Sequence, residues 1–247
     1  MTTAAIYDIH GNVAALEAVL QEINSLGVDE IIVGGDVMPG PLPRECLDLL
    51  HSLHTPASFI HGNGDRAVLD VRRGLEPSSV PKQAWPLVEW SAAQLSDDYE
   101  HWIASWPATL TREIGGKTTM FCHATPRNDT EIFCRDTELR KLERVFAGSN
   151  ASVFVCGHTH MQFDIQLGPK RVINAGSVGM PFGEAGAYWL LIRDGFNLKR
   201  TSYDLSAAAE RVRHTAYPQA EHFASNNILT RPTEESILAI YKNAELA

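Results

Sequence analysis

Five separated segments of the chain each carry a residue type that binds metal ions: Asp8-Ile9-His10, Gly35-Asp36, Gly62-Asn63, Cys122-His123 and Gly157-His158-Thr159-His160. Carboxylate, imidazole and amide donors together suit borderline divalent cations. Two such cations held side by side are suited to cleaving phosphate esters. Asp8 and His10 stand two apart, so on an extended segment both side chains point to one side and can share an ion. His158 and His160 repeat that spacing directly after Val153-Phe154-Val155 and are placed to straddle two ions about 3.5–4 Å apart. Taken singly, D-x-H and G-N-G-D more often read as ordinary turns, and G-G-D is also common in turns. The set decides, because the ligand types agree and most of the segments end an apolar, β-branched run.

Those runs imply a scaffold. A short strand at Ala4–Tyr7 leads into a helix from Val13 to Leu26, with Asn12 as N-cap and Gly27 as terminator. Ile31–Val33 reads as a buried strand delivering Gly34-Gly35-Asp36, whose glycines let the backbone pass close to another group. A helix at Arg44–Leu53 and a strand at Ala57–His61 follow, and alternating strands and helices argue for an α/β fold. Residues 66–107 break the rhythm with four prolines and Trp85, Trp90, Trp102 and Trp106. They read as a helical insertion, with Ser96 capping a helix that Pro107 follows. Gly115-Gly116 reads as a hairpin turn between Thr109–Ile114 and Lys117–Cys122. Further strands are expected at Ser152–Cys156, Gln162–Leu167, Arg171–Ile173, Ala187–Ile192 and Leu198–Tyr203. A helical tail is expected over 204–247, including a surface helix at Thr233–Glu245. With no repeat or clear linker, 1–247 reads as one domain.

Composition narrows the class. Apolar residues make up 44% and charged residues 21% of 247, as in ordinary globular proteins. The net charge of -9 is spread along the chain with no basic run, which disfavours bulk binding to nucleic acid. A small phosphorylated substrate steered by bound cations is compatible with that sign. Four scattered cysteines without a C-x-x-C pair fit a reducing compartment. Neither a signal peptide nor an apolar run of roughly 20 residues is visible, so the cytoplasm is expected and no membrane partner is.

D-x-H, G-D, G-N-x-D, a lone His after a strand and G-H-x-H, in this order, resemble the calcineurin-like metallophosphoesterases. The likeness runs from about Thr3 to Pro181 and extends to Gly11-Asn12, Gly40-Pro41, Ala124-Thr125-Pro126 and Asn174-Ala175-Gly176-Ser177-Val178-Gly179. It points to the small prokaryotic phosphodiesterase branch. The resemblance implies a four-layer α-β-β-α sandwich of two mixed sheets. It also implies that Asp8, His10, Asp36 and His160 hold one metal, and that Asp36, Asn63, His123 and His158 hold the other, with Asp36 bridging. A water or hydroxide shared by the ions would attack phosphorus in line, with the Asn63 amide also touching the phosphate. Manganese is the first expectation for the two divalent ions, with iron, nickel, cobalt and zinc open.

One position departs from the family. Where it commonly reads G-N-H-[DE], with the His assigned to the leaving oxygen or the phosphoryl group, this chain has Gly64. Without that acid the substrate expectation shifts from monoesters to diesters, since general acid help is typically worth about 10²–10⁴-fold. His61 and Asp65 are neighbours that could partly compensate. Arg127, just past Pro126, could grip a phosphate through its guanidinium fork, or be an ordinary surface arginine. The tryptophan-rich insertion could stack a nucleobase or simply pack. Cys122 and Cys156 read as small core residues, and His51, His54, His101, His214 and His222 carry no motif. The alternative to an enzyme is a non-catalytic scaffold or binding protein, as the retromer subunit that resembles this family is thought to be. A protein phosphatase is a third reading, disfavoured by Gly64. The acidic charge and the insertion are compatible with a homo-oligomer.

Overall fold

The computed structural model of the protein describes residues 1–242 together with 244 and 246. In the first half, strands β1 (Thr3–Ile6), β2 (Glu30–Val33) and β3 (Ala57–Phe59) alternate with helices α1 (Val13–Ser25) and α2 (Pro43–His51). Helices α3 (Asn63–Arg72), α4 (Trp85–Gln94) and α5 (Asp97–Ala104) follow. The β-rich half carries β4 (Thr109–Ile114), β5 (Lys117–Cys122), α6 (Leu139–Phe146), β6 (Val153–Cys156), β7 (Phe163–Leu167), β8 (Lys170–Asn174), β9 (Ala187–Ile192) and β10 (Phe196–Thr201). Helices α7 (Leu205–Arg213), α8 (Ala220–Phe223) and α9 (Glu234–Tyr241) come last, with a π-helical stretch at Ala224–Leu229. Among the described residues, no helix is long and apolar enough to cross a membrane.

The strands form two mixed five-stranded sheets, ordered β10-β9-β1-β2-β3 and β4-β5-β6-β8-β7. Within them β1, β2 and β3 run parallel, as do β5, β6 and β8. Successive side chains leave a strand on opposite faces, and that alternation builds the layers. From β1, Ala5 and the following Tyr7 face a core shared with Val153 and Val155 of β6, sandwiched between the sheets. Ala4 and Ile6 face the other way, onto Leu16, Val19 and Ile23 of α1 and Leu47 and Leu50 of α2. On the far side, Phe154 and Cys156 meet Leu142, Val145 and Phe146 of α6. The result is the α-β-β-α order. Tyr7 ties the two sheets directly, its hydroxyl donating to Val155 O at 2.9 Å.

The local signals mostly hold. Asn12 Oδ1 accepts from Ala15 N, Ser96 caps α5 by accepting from Tyr99 N, and Gly115 and Gly116 turn the β4–β5 hairpin at φ +58° and +73°. Three details differ. α6 has no counterpart in the sequence reading, although Leu142, Val145 and Phe146 have helical spacing. β10 begins two residues early, since the hairpin turns at Asp194-Gly195 (φ +53° and +141°), a D-G signal for just such a turn. The G-N-G-D segment, for which an ordinary turn is the plain reading, opens α3 instead, and the helical run 63–104 therefore begins before residue 66. In the tail, α9 ends at Tyr241 and Glu245 lies outside the described residues.

Candidate metal centre

The parallel strands of the two sheets deliver their C-terminal ends to one rim. Asp8 follows β1, Asp36 follows β2, Asn63 follows β3, His123 follows β5, and His158 and His160 follow β6. Close backbone packing draws the loops together. A Cβ on Gly35, whose φ is +94°, would lie 2.4 Å from Gly62 N, and one on Gly157 would lie 2.4 Å from Asp8 Oδ2. Glycine is what allows these approaches.

The ligand loops are not extended, contrary to the reading that paired Asp8 with His10 and His158 with His160 on extended chain. Asp8, His10, Asp36, His158 and His160 all have positive φ, at 54°, 46°, 52°, 65° and 58°. Among the described residues only one other non-glycine does, Asp194 in its hairpin turn. Such a conformation costs on the order of 1–3 kcal/mol per residue and persists only where the surroundings enforce it. Here Asp8 N donates to Gly35 O and His10 N to Asp36 O, both at 3.0 Å. Asp8 O accepts from Ser177 Oγ at 2.7 Å and from Gly179 N at 2.9 Å. The first and last of the ligand-bearing segments are thus clamped by the loop 174–179, whose Asn174 side chain also donates to Gly157 O.

Two groups of donors result: Asp8, His10 and His160, and Asp36, His123 and His158, with the ligand atoms of each group within 4.8 Å of one another. They adjoin. Asp36 Oδ2 lies 3.7 Å from His10 Nε2 and 3.5 Å from His123 Nε2. Asp8 Oδ1 lies 3.4 Å from His160 Nε2 and 3.8 Å from His123 Nε2. Asn63 turns its Oδ1 to within 3.1 Å of His123 Nε2, while its Nδ2 faces Ser79 O. Each carboxylate spends its other oxygen on the backbone: Asp36 Oδ1 accepts from Gly64 N at 2.7 Å, and Asp8 Oδ2 from His158 N at 2.8 Å.

The donor set fits cations. Asp8 Oδ1 is buried with no hydrogen-bond partner, an arrangement that costs free energy unless something positive faces it. His10 Nδ1 meets Pro39 O, His123 Nδ1 meets Gly34 O and His160 Nδ1 meets Met180 O, at 3.1, 3.0 and 2.8 Å. Carbonyls only accept, so these contacts hold a proton on Nδ1 and leave Nε2 as the inward-facing nitrogen, the usual arrangement behind a histidine ligand. His10 Nε2 and His160 Nε2 then sit 3.2 Å apart, two lone pairs that a shared cation would satisfy. Among the described residues the only basic groups within 4.0 Å of Asp8 or Asp36 are these imidazoles. Burial opposes charge on His123, yet the Asp36 and Asp8 carboxylates push its pKa up to about 10. Burial and the neighbouring His123 push His158 down to about 4.

The remaining sequence candidates fall in other places. Gly64 lies in the first turn of α3, and a Cβ there would stand 2.3 Å from Met38 O. The space a side chain would need is filled by backbone. Asp65 does not supply the missing acid: its oxygens accept from Asp36 N, Gly62 N and Met38 N, at 2.8, 3.1 and 3.1 Å. Burial and the charge of Asp36 raise its carboxyl to about 7. His61 and Arg127 border a second cavity, which His123 also lines. Arg127 is half-exposed and paired with Glu131 four residues on. Trp102 and Trp106 pack on Phe59. Burial pushes the Cys122 thiol up to about 12, and Cys122 and Cys156 both belong to the core facing α6. Sequence reasoning missed the segment 217–227, which brings Tyr217, His222 and Asn227 to a cavity shared with Asp36 and Asn63. No spacing signal marks it.

A family model of the calcineurin-like phosphoesterase superfamily domain matches residues 1–193, and the chain belongs to that superfamily. An uncharacterized protein of Methanocaldococcus jannaschii is 26% identical over 238 residues, covering 87% of this chain and 93% of that protein. Two crystal structures share the fold. A hypothetical protein from Pyrococcus horikoshii OT3 superposes with a TM-score of 0.79 at 19% identity, covering 94% of this chain and 99% of the other. A metallophosphoesterase from Sphaerobacter thermophilus does so with a TM-score of 0.74 at 24% identity, covering 93% and 98%.

Proposed function

We propose that the protein is a phosphodiesterase that works with two divalent cations. Asp8, His10 and His160 would hold one, His123, His158 and Asn63 the other, and Asp36 both. The observation that carries this reading is the position of Asp36 Oδ2, between His10 Nε2 and His123 Nε2 at 3.7 and 3.5 Å. When bound, such a pair supplies a water of lowered pKa at neutral pH and offsets charge on the phosphoryl oxygens. The chain's own part is to fix geometry. Gly64 N and His158 N orient the two carboxylates, and the carbonyls of Gly34, Pro39 and Met180 set the histidine tautomers.

Gly64 supplies no proton donor at the position where the family commonly has histidine, and Met38 O leaves no room for a side chain there. A diester, which brings less charge than a monoester dianion and can part with a good leaving group unaided, is the substrate this arrangement suits. Arg127 has no part in the proposed machinery, because its guanidinium is committed to Glu131. Manganese is the cation to try first, and 1–247 is taken as one catalytic unit. The test compares bis(p-nitrophenyl) phosphate with p-nitrophenyl phosphate, using metal-free protein with and without manganese. Manganese-dependent diester cleavage exceeding monoester cleavage is the expected result. Faster monoester cleavage would overturn the assignment, and no turnover of either by folded, metal-loaded protein would favour a non-catalytic scaffold.

A further inference from the structure

The cavity over the metal centre has a volume of about 300 Å³, at the small end for ligand sites. Its floor is His10, Asp36, Asn63 and Gly64. One wall, from the segment before and within α4, presents Pro81, Ala84 and Leu87. The other presents Tyr217, from the loop between α7 and α8, and Phe223 of α8. Tyr217 is fixed there by edge-on contacts with Trp90 and Phe223, at centroid distances of 6.3 and 6.1 Å. Besides the Tyr217 hydroxyl, the polar groups away from the floor are uncharged amides and one imidazole: Gln219, Asn227 and His222. No lysine or arginine is among the described residues lining it. The nearby Lys82 instead lies over the Trp85 ring, 5.5 Å from its centroid.

From this we infer that the cavity takes an uncharged planar ring, carried on the phosphorus of the substrate; the inference rests on the phosphodiesterase reading for the floor. Apolar and aromatic walls that meet the metal ligands without a break favour a ring seated next to the phosphorus. A polyphosphate or sugar-phosphate arm would find no guanidinium or ammonium there to offset its charge. The amides and His222 suit the hydrogen-bonding edge of a nucleobase. A plain aryl group would use the walls alone. The substrate class is therefore an aryl or nucleoside phosphodiester.

Calorimetric titration of manganese-loaded protein with methylphosphonate, phenylphosphonate, a nucleoside phosphonate and tripolyphosphate tests this without any turnover. Burial of the ring should make phenylphosphonate bind about tenfold to hundredfold more tightly than methylphosphonate. A nucleoside phosphonate tighter still would identify the ring as a nucleobase, and one no tighter would identify it as an aryl group. In Ala84→Trp, which fills the cavity, the phenyl-to-methyl ratio should collapse towards one. Leu87→Ala should lower the same ratio, and so serves if the tryptophan variant fails to fold. Equal affinities for the two phosphonates, a ratio untouched in folded Ala84→Trp, or tripolyphosphate as the tightest ligand would each overturn the inference. If bis(p-nitrophenyl) phosphate is not cleaved while the ring preference persists, the diesterase reading fails and the cavity assignment stands. Cleavage without any ring preference would overturn the cavity assignment and leave the diesterase reading standing.

Discussion

Restoring the family's histidine at position 64 should damage this protein. Gly64 sits in the first turn of α3 at a φ that any residue adopts, so helix propensity alone would make Gly64→Ala stabilising by about 0.5–1 kcal/mol. The packing says the reverse. A Cβ would lie 2.3 Å from Met38 O, 2.8 Å from Pro39 Cδ and 3.0 Å from Asp36 Oδ1, and two of the three atoms are neither flexible nor remote. Overpacking of that kind typically costs about 1–3 kcal/mol. For a chain of this size, that is a fall in melting temperature of about 2–12 °C. Moving α3 aside would also loosen the 2.7 Å bond from Gly64 N that orients Asp36, so metal affinity should drop as well. Thermal melts of the parent, Gly64→Ala and Gly64→His, with and without manganese, decide between the two signs. Either variant melting at or above the parent temperature, or Gly64→His gaining monoesterase activity with its diesterase intact, would show that position 64 has room for a side chain after all.

Three further outcomes are expected. Because Asp36 and Asp8 hold the His123 pKa up to about 10, metal-free protein carries a proton there at neutral pH that a cation must expel. Manganese affinity should therefore rise by about tenfold per pH unit between pH 7 and 9, and calorimetry in buffers of different ionisation enthalpy should count the released proton; a flat profile contradicts this. Asp65→Ala strips the acceptor from three buried backbone donors, those of Asp36, Gly62 and Met38. It should cost about 3 kcal/mol or more in urea unfolding, and a loss below about 1 kcal/mol would show that the backbone finds other partners. Arg127→Ala removes only an exposed pair with Glu131 and should leave melting and diester turnover near the parent values; a large fall in kcat/KM would bring Arg127 into the site.

Legibility in the sequence followed the range of the interaction. Asn12, Ser96 and Gly115-Gly116 act on their own neighbours, so caps and turns could be read from residue type. The ligand-type residues were visible because apolar strand runs precede them and their types agree. Other features depend on groups far apart in the chain. Asp8 and His158 adopt positive φ because loops from the other sheet and from 174–179 enforce it, and two-residue spacing alone suggested extended chain. Glycine at position 64 looked like a missing acid, whereas the fold shows a place where Met38 leaves no room. The wall formed by Tyr217 and Phe223 depends on how the C-terminal helices pack, and their sequence carries no periodic mark of that neighbour. The α6 helix was legible in principle, since Leu142, Val145 and Phe146 stand at helical spacing.

If the two adjoining donor groups act together through Asp36, metal loading and turnover must be coupled. Stepwise addition of manganese to metal-free protein, with bound metal and bis(p-nitrophenyl) phosphate hydrolysis followed in the same samples, reads that coupling. Two equivalents should bind per chain, turnover should develop with the second, and Asp36→Asn should lose both tight binding and turnover. Full activity at one equivalent, or an Asp36→Asn variant that still binds two ions and cleaves the diester, would rule out the shared-carboxylate centre.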